Sequence, residues 1–323
     1  MRPVALDAMG GDNAPGATVA GALQHDGSVL LIGRRAELDD LASDLSIVEA
    51  DDVVAMDDKA SSALRRPDAS INVAIRQLAE GTASAVVTCG HSGAAMVAAI
   101  KGLGRLEGVD RPALVTVVPR ADGGETVLLD LGANVDCRPE QLAQFAVMGE
   151  AYARVVLGLD DPRVGLLSNG AERGKGNTQV KAALPLLEQL ALNFVGPIEP
   201  FEAFHGAADV VVCDGFVGNV MLKTVEATVD VTVSLMQKEI GRMPHWRLGA
   251  RFMKSALRRF RSRTSASAYG GALLLGVDGV VVVAHGRSDR GAVDSALSVA
   301  RRCVEQDVVG AVSKALAKAT LPS

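Results

Sequence analysis

Five segments of the 323-residue chain join glycine to small polar or charged side chains, and each directly follows an apolar, β-branched run. They are Asp7-Ala8-Met9-Gly10-Gly11-Asp12-Asn13, Gly90-His91-Ser92-Gly93, the stretch from Ser168 to Asn177, Asp214-Gly215-Phe216-Val217-Gly218-Asn219, and His285-Gly286. Glycine-rich turns that open onto helices present backbone N–H groups and the positive end of the helix dipole, a setting that suits phosphate. Neither common nucleotide signature is there. No Gly-x-Gly-x-x-Gly follows a strand-like run, and Gly174-Lys175-Gly176 has glycine where a P-loop places Ser or Thr. Lys59, Arg65, Arg66, Arg173, Lys175 and Lys223 are candidates for fixed positive charge. Lys175 and Lys223 stand out because they sit in or just after these loops. Asp7 and Asp12 would repel an anion, and they suit equally well a role in holding the Gly10-Gly11 turn through local backbone bonds. His91 and His285 are placed to act as general base or hydrogen-bond donor, a setting that His25, His205 and His245 lack. Cys89 and Cys213 end apolar runs, where small buried thiols are common; a nucleophilic role would need an activating base.

The elements that must position these residues alternate regularly. Strands are expected at Val4–Asp7, Val29–Ile32, Ser84–Cys89, Ala113–Val118, Thr126–Leu131, Val164–Leu167, Asp209–Cys213 and Val280–Ala284. Helices are expected near Gly16–Gln24, Ala36–Leu41, Ala69–Ala79, Pro139–Val156, Thr178–Leu190, Val220–Ile240 and Arg290–Ala317. Strands such as Val210-Val211-Val212 have no polar face, which implies a mostly parallel sheet with helices on both faces. Asp122-Gly123-Gly124 marks one hairpin turn. No repeat or linker interrupts the pattern, so residues 1–323 are read as a single α/β domain. Ligands of open α/β sheets bind beyond the carboxyl ends of strands, which is where all five segments fall.

Composition narrows the function class. Forty-eight per cent of residues are apolar, enough for a large core, and the net charge is −5. Four scattered cysteines without a Cys-x-x-Cys pair argue against a disulfide framework or a structural zinc, and no metal site is assigned. No apolar run approaches the length of a spanning helix, so a soluble cytoplasmic protein is expected. The charge is unevenly spread. Between Lys238 and Arg263 nine basic residues face a single acid, Glu239, a local excess of +8 that leaves −13 for the rest. Arg247, Arg251, Lys254, Arg258 and Arg261 recur on one face of a helix, while Trp246, Met253, Leu257 and Phe260 recur on the other. Such a helix fits an anionic membrane surface or an acidic protein partner; it fits as well the burial of its apolar face on its own chain or a dimer mate. General nucleic-acid binding is not expected.

Longer stretches resemble a known family. In order they are Leu6 to Asp12, Lys59-Ala60-Ser61-Ser62-Ala63-Leu64-Arg65-Arg66, Asp110 to Leu114, Leu129 to Cys137, Gln144 to Gly149, Lys175-Gly176-Asn177, Val212 to Asn219, and Tyr269-Gly270-Gly271 leading to Ala284-His285-Gly286. Together these are similar to the bacterial PlsX phosphate acyltransferases. The resemblance implies transfer of a fatty acyl group from acyl carrier protein to inorganic phosphate, giving acyl phosphate for phospholipid synthesis. It implies a homodimer, no organic cofactor, and a fold like those of phosphotransacetylases and isocitrate/isopropylmalate dehydrogenases. It also implies a protruding helical hairpin over residues 219–264 that carries the basic helix to the membrane face, so peripheral membrane association is expected.

On that reading Lys175, Gly176 and Asn177, with Gly10 and Gly11, are candidates for phosphate. Asn219 and backbone groups at Gly215–Gly218 are candidates for oxyanion stabilisation, and His285 for orienting phosphate or protonating the leaving sulfur. Asp7, Asp12, Lys59, Ser61, Ser62, His91, Asp214, Gly215 and Lys223 complete the substrate-binding set. Two stretches depart from the family's usual pattern. Around Ser168-Asn169-Gly170-Ala171-Glu172 only Gly170 and Glu172 match, and in Val195 to Pro200 Glu199 aligns but Pro197 and Pro200 replace Asn and Gly, and the family's Arg is absent. Two other readings compete. A metal-dependent 2-hydroxy-acid dehydrogenase would draw its ligands from Asp7, Asp12 and Asp214. A non-catalytic membrane scaffold would leave five polar strand ends unexplained.

Overall fold

The computed structural model describes residues 2–42, 44–242 and 270–321. Along the chain run β1 (Val4–Asp7), α1 (Gly16–Gln24), β2 (Val29–Gly33), α2 (Arg35–Leu38), β3 (Ser46–Glu49), a 3-10 helix (Ala60–Arg65), α3 (Ser70–Ala79), β4 (Ala85–Thr88) and α4 (Ser92–Gly102). They are followed by β5 (Ala113–Pro119), β6 (Glu125–Leu129), α5 (Pro139–Leu157), β7 (Arg163–Leu167), α6 (Thr178–Glu188), β8 (Asn193–Ile198), α7 (Pro200–Phe204) and β9 (Val210–Val212). The last are α8 (Gly215–Arg242), β10 (Ala272–Leu275), β11 (Val281–Val283), α9 (Arg290–Glu305) and α10 (Val308–Lys318).

The described strands form one 11-stranded sheet in the order β3-β2-β1-β4-β11-β10-β5-β6-β9-β7-β8. Neighbours run parallel except at β11–β10, β10–β5 and β5–β6. Alternate residues of each strand point to opposite layers, which is why the strands lack a polar face. Leu6, Val87, Val210, Val212 and Val282 join one core with α1, α5, α9 and α10. Ala5, Val86, Val211 and Val281 join the other, with α3 and α4. Each fully buried Leu or Val in these layers adds about 1.5–3 kcal/mol relative to exposure.

Several expected elements change shape. The helix expected at Val220–Ile240 begins at Gly215, so Asn219 lies in its first turns and not in a loop. The helix expected over Arg290–Ala317 is two, broken where Asp307 takes a left-handed conformation (φ 49°) and its carboxylate accepts from Gly310 N at 3.3 Å to start α10. Strands β3, β8 and β10 were not expected. β8 contains Pro197 yet sits at the sheet edge, where a missing N–H costs no ladder bond. Pro200 is equally at home at the first position of α7, where Glu199 N–H bonds the Glu202 carboxylate at 2.9 Å.

The antiparallel insertion matters most for function. It reverses β6, β9 and β7 relative to β1, β4 and β11, so the five segments leave the sheet in two opposite senses. Helix α8 spans 28 residues, and its outer side chains, including Val231 and Leu235, are exposed. The hairpin's expected second arm, with Trp246, Arg247, Arg251, Lys254, Arg258, Phe260 and Arg261, lies outside the described residues.

Candidate active site

The first set of loops gathers where β1, β4 and β11 end. Thr88, the last residue of β4, donates its hydroxyl to Asp7 Oδ2 at 2.7 Å and accepts Gly90 N–H at 2.9 Å. This relay fixes the Gly90 backbone over Gly10, where an added Cβ would lie 2.9 Å from Gly90 N and 2.6 Å from Asp7 Oδ2. Gly11 (φ 106°) passes between Cys89 and Gly286, whose carbonyl oxygens would lie 2.9 and 3.0 Å from a Cβ. Both glycines are therefore required by close backbone approach. Asp12 N–H bonds the Gly286 carbonyl at 2.7 Å, and the Asn13 amide reaches the Arg287 and Ser288 carbonyls at 3.2 Å. His91 caps α4, and His285 accepts Arg287 N–H at 3.1 Å. Lys59 and Ser61 are exposed and Ser62 is buried; this segment adjoins the set through Ala60, whose Cβ packs on Gly93 beside His91.

Asp7 is buried and cannot meet a substrate directly, contrary to its place in the expected binding set. Burial pushes its carboxyl above the ordinary range, Ser70 and Thr88 offset part of that, and Oδ1 lacks a well-formed hydrogen bond. The native state therefore holds the Asp7 proton more tightly than the unfolded chain does. Stability tied to that proton is complete below the unfolded value of about 3.9 and is lost as pH rises through the folded one. Asp7→Asn carries no charge to desolvate. It should be more stable than the parent at neutral pH, with the gap closing as pH falls towards 4; calorimetry across that range checks the sign.

The second set lies at the ends of β6, β9 and β7. Asp130, fully buried, accepts N–H bonds from Leu114 (2.9 Å), Gly132 (3.2 Å), Ala133 (3.0 Å) and Asn134 (2.7 Å), and from the Asn134 amide (2.8 Å). Burial pushes its carboxyl up and these donors pull it back. Asn134 in turn accepts Gly215 N–H at 2.8 Å, and Asp214 accepts Val217 N–H at 2.8 Å and, through its carbonyl, Gly218 N–H at 3.0 Å. Three of the four amides expected to serve an oxyanion, those of Gly215, Val217 and Gly218, are thus already spent on holding α8. Phe216 N–H and the Asn219 side chain remain as candidates, and Asn219 lies beside Gly132.

The Lys175 loop follows β7. Glu172 accepts Lys175 N–H and Asn169 Oδ1 accepts Gly176 N–H, both at 2.9 Å, while Gly176 adopts φ 89°. Asn177 Oδ1 caps α6 by accepting Val180 N–H at 2.9 Å, so only its amide N–H groups are left for a ligand. Gln179 joins this loop to the second set by donating to the Cys137 carbonyl at 2.6 Å. Lys175 is exposed, and buried Ser168 Oγ beneath the loop has no partner.

The Gly10-Gly11 turn and Lys175–Asn177, expected to share one phosphate, belong to these two different bonding networks. Helix α8 links them. Burial pushes the Glu226 carboxyl up, and its electrostatic interactions with His285 from the first set and Lys223 from its own helix offset part of that rise. The carboxylates of Asp7, Asp12 and Asp214, the ligand set a metal-dependent dehydrogenase would need, have separate partners: Asp7 accepts the Thr88 hydroxyl, Asp12 lies 4.0 Å from Arg287, and Asp214 accepts Val217 N–H. The site thiols are not activated. Burial pushes Cys89 and Cys137 up to about 12, and Cys213 also rises, with Asp130 and Asp214 adding to it. Thr88, Asp130 and Asn134 were given no role from sequence; a lone polar side chain ending an apolar strand beside glycine was the signal available for the first two.

Solved structures place the architecture. A branched-chain phosphotransacylase from Enterococcus faecalis V583 superposes with a TM-score of 0.61 at 17% identity, over 94% of this chain and 99% of that one. A phosphotransacetylase from Streptococcus pyogenes gives 0.60 at 15%, over 98% and 94%. The class is therefore an α/β protein of phosphotransacetylase-like fold. At the sequence level, the profile of the family described as "Fatty acid synthesis protein" matches residues 2–311. A phosphate acyltransferase of Desulfitobacterium hafniense (strain Y51) is 44% identical over 332 residues, covering 99% of each chain. One from Synechocystis sp. is 44% identical over 94% of this chain and 91% of its own. The chain belongs to this family, the PlsX phosphate acyltransferases, as its ordered motifs indicated. Among the described residues, no helix is long and apolar enough to cross a membrane.

Proposed function

We propose that the protein transfers a fatty acyl group from an acyl carrier protein thioester to inorganic phosphate, releasing acyl phosphate. The observation that supports this reading is the pairing of tightly packed glycine turns at the strand ends with thiols that burial holds protonated. A phosphate oxygen attacks the thioester carbonyl, the C–O bond forms as the C–S bond breaks, and sulfur leaves as thiolate. A thiol of ordinary pKa near 8.5 departs readily without an acyl-enzyme. The protein then needs to bind the anion, align it and stabilise the oxyanion. Incubation with acyl carrier protein thioester and phosphate should give acyl phosphate, trapped as hydroxamate, only when phosphate is present. Absence of that product would sink the reading.

Lys175→Ala should raise the apparent KM for phosphate by about tenfold or more, because a charge-assisted contact is lost. An unchanged KM removes Lys175 from the site. The proposal extends to a homodimer of single-domain subunits in which residues 219–264 form the protruding arm. Its basic helix serves an anionic membrane surface, giving a cytoplasmic enzyme peripheral access to lipid. Charge reversal at Arg251, Lys254 and Arg258 should abolish co-sedimentation with anionic vesicles while turnover on soluble substrate persists; the opposite pattern would assign the helix to carrier docking.

A further inference from the structure

Of the five histidines, four lie among the described residues, and their Nδ1 atoms fall into two kinds. His25 Nδ1 is 2.8 Å from the Asp294 carboxylate, and His205 Nδ1 is 2.8 Å from the Phe201 carbonyl. Carboxylate and carbonyl oxygens only accept, so Nδ1 carries the proton in both. The two strand-end histidines are opposite. His91 Nδ1 accepts Ala94 N–H at 3.2 Å, and His285 Nδ1 accepts Arg287 N–H at 3.1 Å. A backbone amide only donates, so each Nδ1 must offer its lone pair, and the proton of the neutral ring sits on Nε2. Neither ring has a basic lone pair left for a substrate.

Their placement makes a pair of them. β4 and β11 are adjacent and parallel, with Thr88 opposite Val283, so His91 and His285 follow neighbouring strands about 4.8 Å apart. The Gly10-Gly11 turn runs between their loops, in contact with Cys89 and Gly286. We infer that His91 and His285 are locked as Nε2–H donors that together hold the phosphate anion beside the Gly10-Gly11 turn, and that neither acts as a general base. The inference rests on the acyl-transfer reading for its ligand but not for its tautomers.

The two parts are tested separately. Long-range 1H–15N correlation spectra of the full chain, at pH values where imidazole is neutral, should show Nε2–H patterns for His91 and His285 and Nδ1–H patterns for His25 and His205. Assignment comes from single His→Gln variants, and no substrate is needed. An Nδ1–H pattern at either strand-end histidine overturns the inference even if acyl phosphate is made. For the ligand, Asn places an acceptor where Nδ1 was, keeping the backbone contact, but deletes the outer donor; Gln reproduces the outer N–H and gives up the inner contact. His91→Asn and His285→Asn should each raise the KM for phosphate about tenfold or more, while the Gln variants stay within about threefold of the parent. A purely structural role predicts the reverse order, and a base role predicts that Asn and Gln fail alike through kcat. Either result overturns the donor assignment.

Discussion

Replacing Asp130 with alanine should lower the midpoint of thermal unfolding by about 4–7 °C, the response of a 323-residue chain to a loss of about 3–5 kcal/mol. The carboxylate is fully buried and is the acceptor for the backbone amides of Leu114, Gly132, Ala133 and Asn134 and for the Asn134 side chain. Truncation leaves these donors without their acceptor, and each unsatisfied buried donor costs about 1–3 kcal/mol, with partial relief as the loop relaxes. Asp130→Asn retains one acceptor oxygen and should lose roughly half as much, about 2 kcal/mol. Calorimetry on both variants tests the ranking. A midpoint within 2 °C of the parent for the alanine variant would show that the donors find other partners.

A second substitution should be nearly silent in overall helicity and severe in turnover. Gly218→Ala places a methyl group against the Asp130 carbonyl oxygen and 2.9 Å from Cys213 Sγ. Neither neighbour can yield, because one is backbone held by the Asp130 cluster and the other ends a buried strand. The first turn of α8 must therefore back away, at a cost of about 1–3 kcal/mol. Asn219 moves with it, and for the oxyanion role proposed for its side chain a displacement of about 1 Å costs on the order of 100-fold in rate. The kcat for acyl transfer should fall by about that factor, with far-ultraviolet circular dichroism unchanged. Full activity would mean that neither Asn219 nor the α8 terminus faces the reaction.

Much of this architecture is legible in the residues because pattern and punctuation agree. Val4–Asp7 is apolar on both faces and stops at a glycine turn, so its limits as a strand and those of α1 after it are read correctly. Other elements hide because one residue type does an unusual job. Pro197 reads as a loop residue until β8 is known to be an edge strand. Gly215 and Gly218 read as loop although they open α8, since only glycine permits the approach to Asn134 and Asp130. Asp307 breaks a helix because Asp tolerates the left-handed region, and nothing in Cys303-Val304-Glu305-Gln306-Asp307 marks it as the residue that does so. Strand sense is the least legible. Ala272–Leu275 has the composition of any buried strand, yet its antiparallel insertion decides which strand ends share a side. Lys175 and Gly10 both stand out by type and by the turn that follows a strand; their separation into two networks depends on that insertion and is absent from either local sequence.

Helix α8 has a mechanical consequence. At 28 residues it is a rod roughly 42 Å long. Gly218, seated on the Asp130 carbonyl, is its fulcrum, with Asn219 about 1.5 Å beyond the pivot and Arg242 about 36 Å away. A swing that carries the far end through about 5 Å turns the rod by about 8° and shifts the Asn219 backbone by only about 0.2 Å. The gearing works as a vibration isolator. Any excursion of the distal end thus reaches the Asn219 backbone divided by more than about twenty.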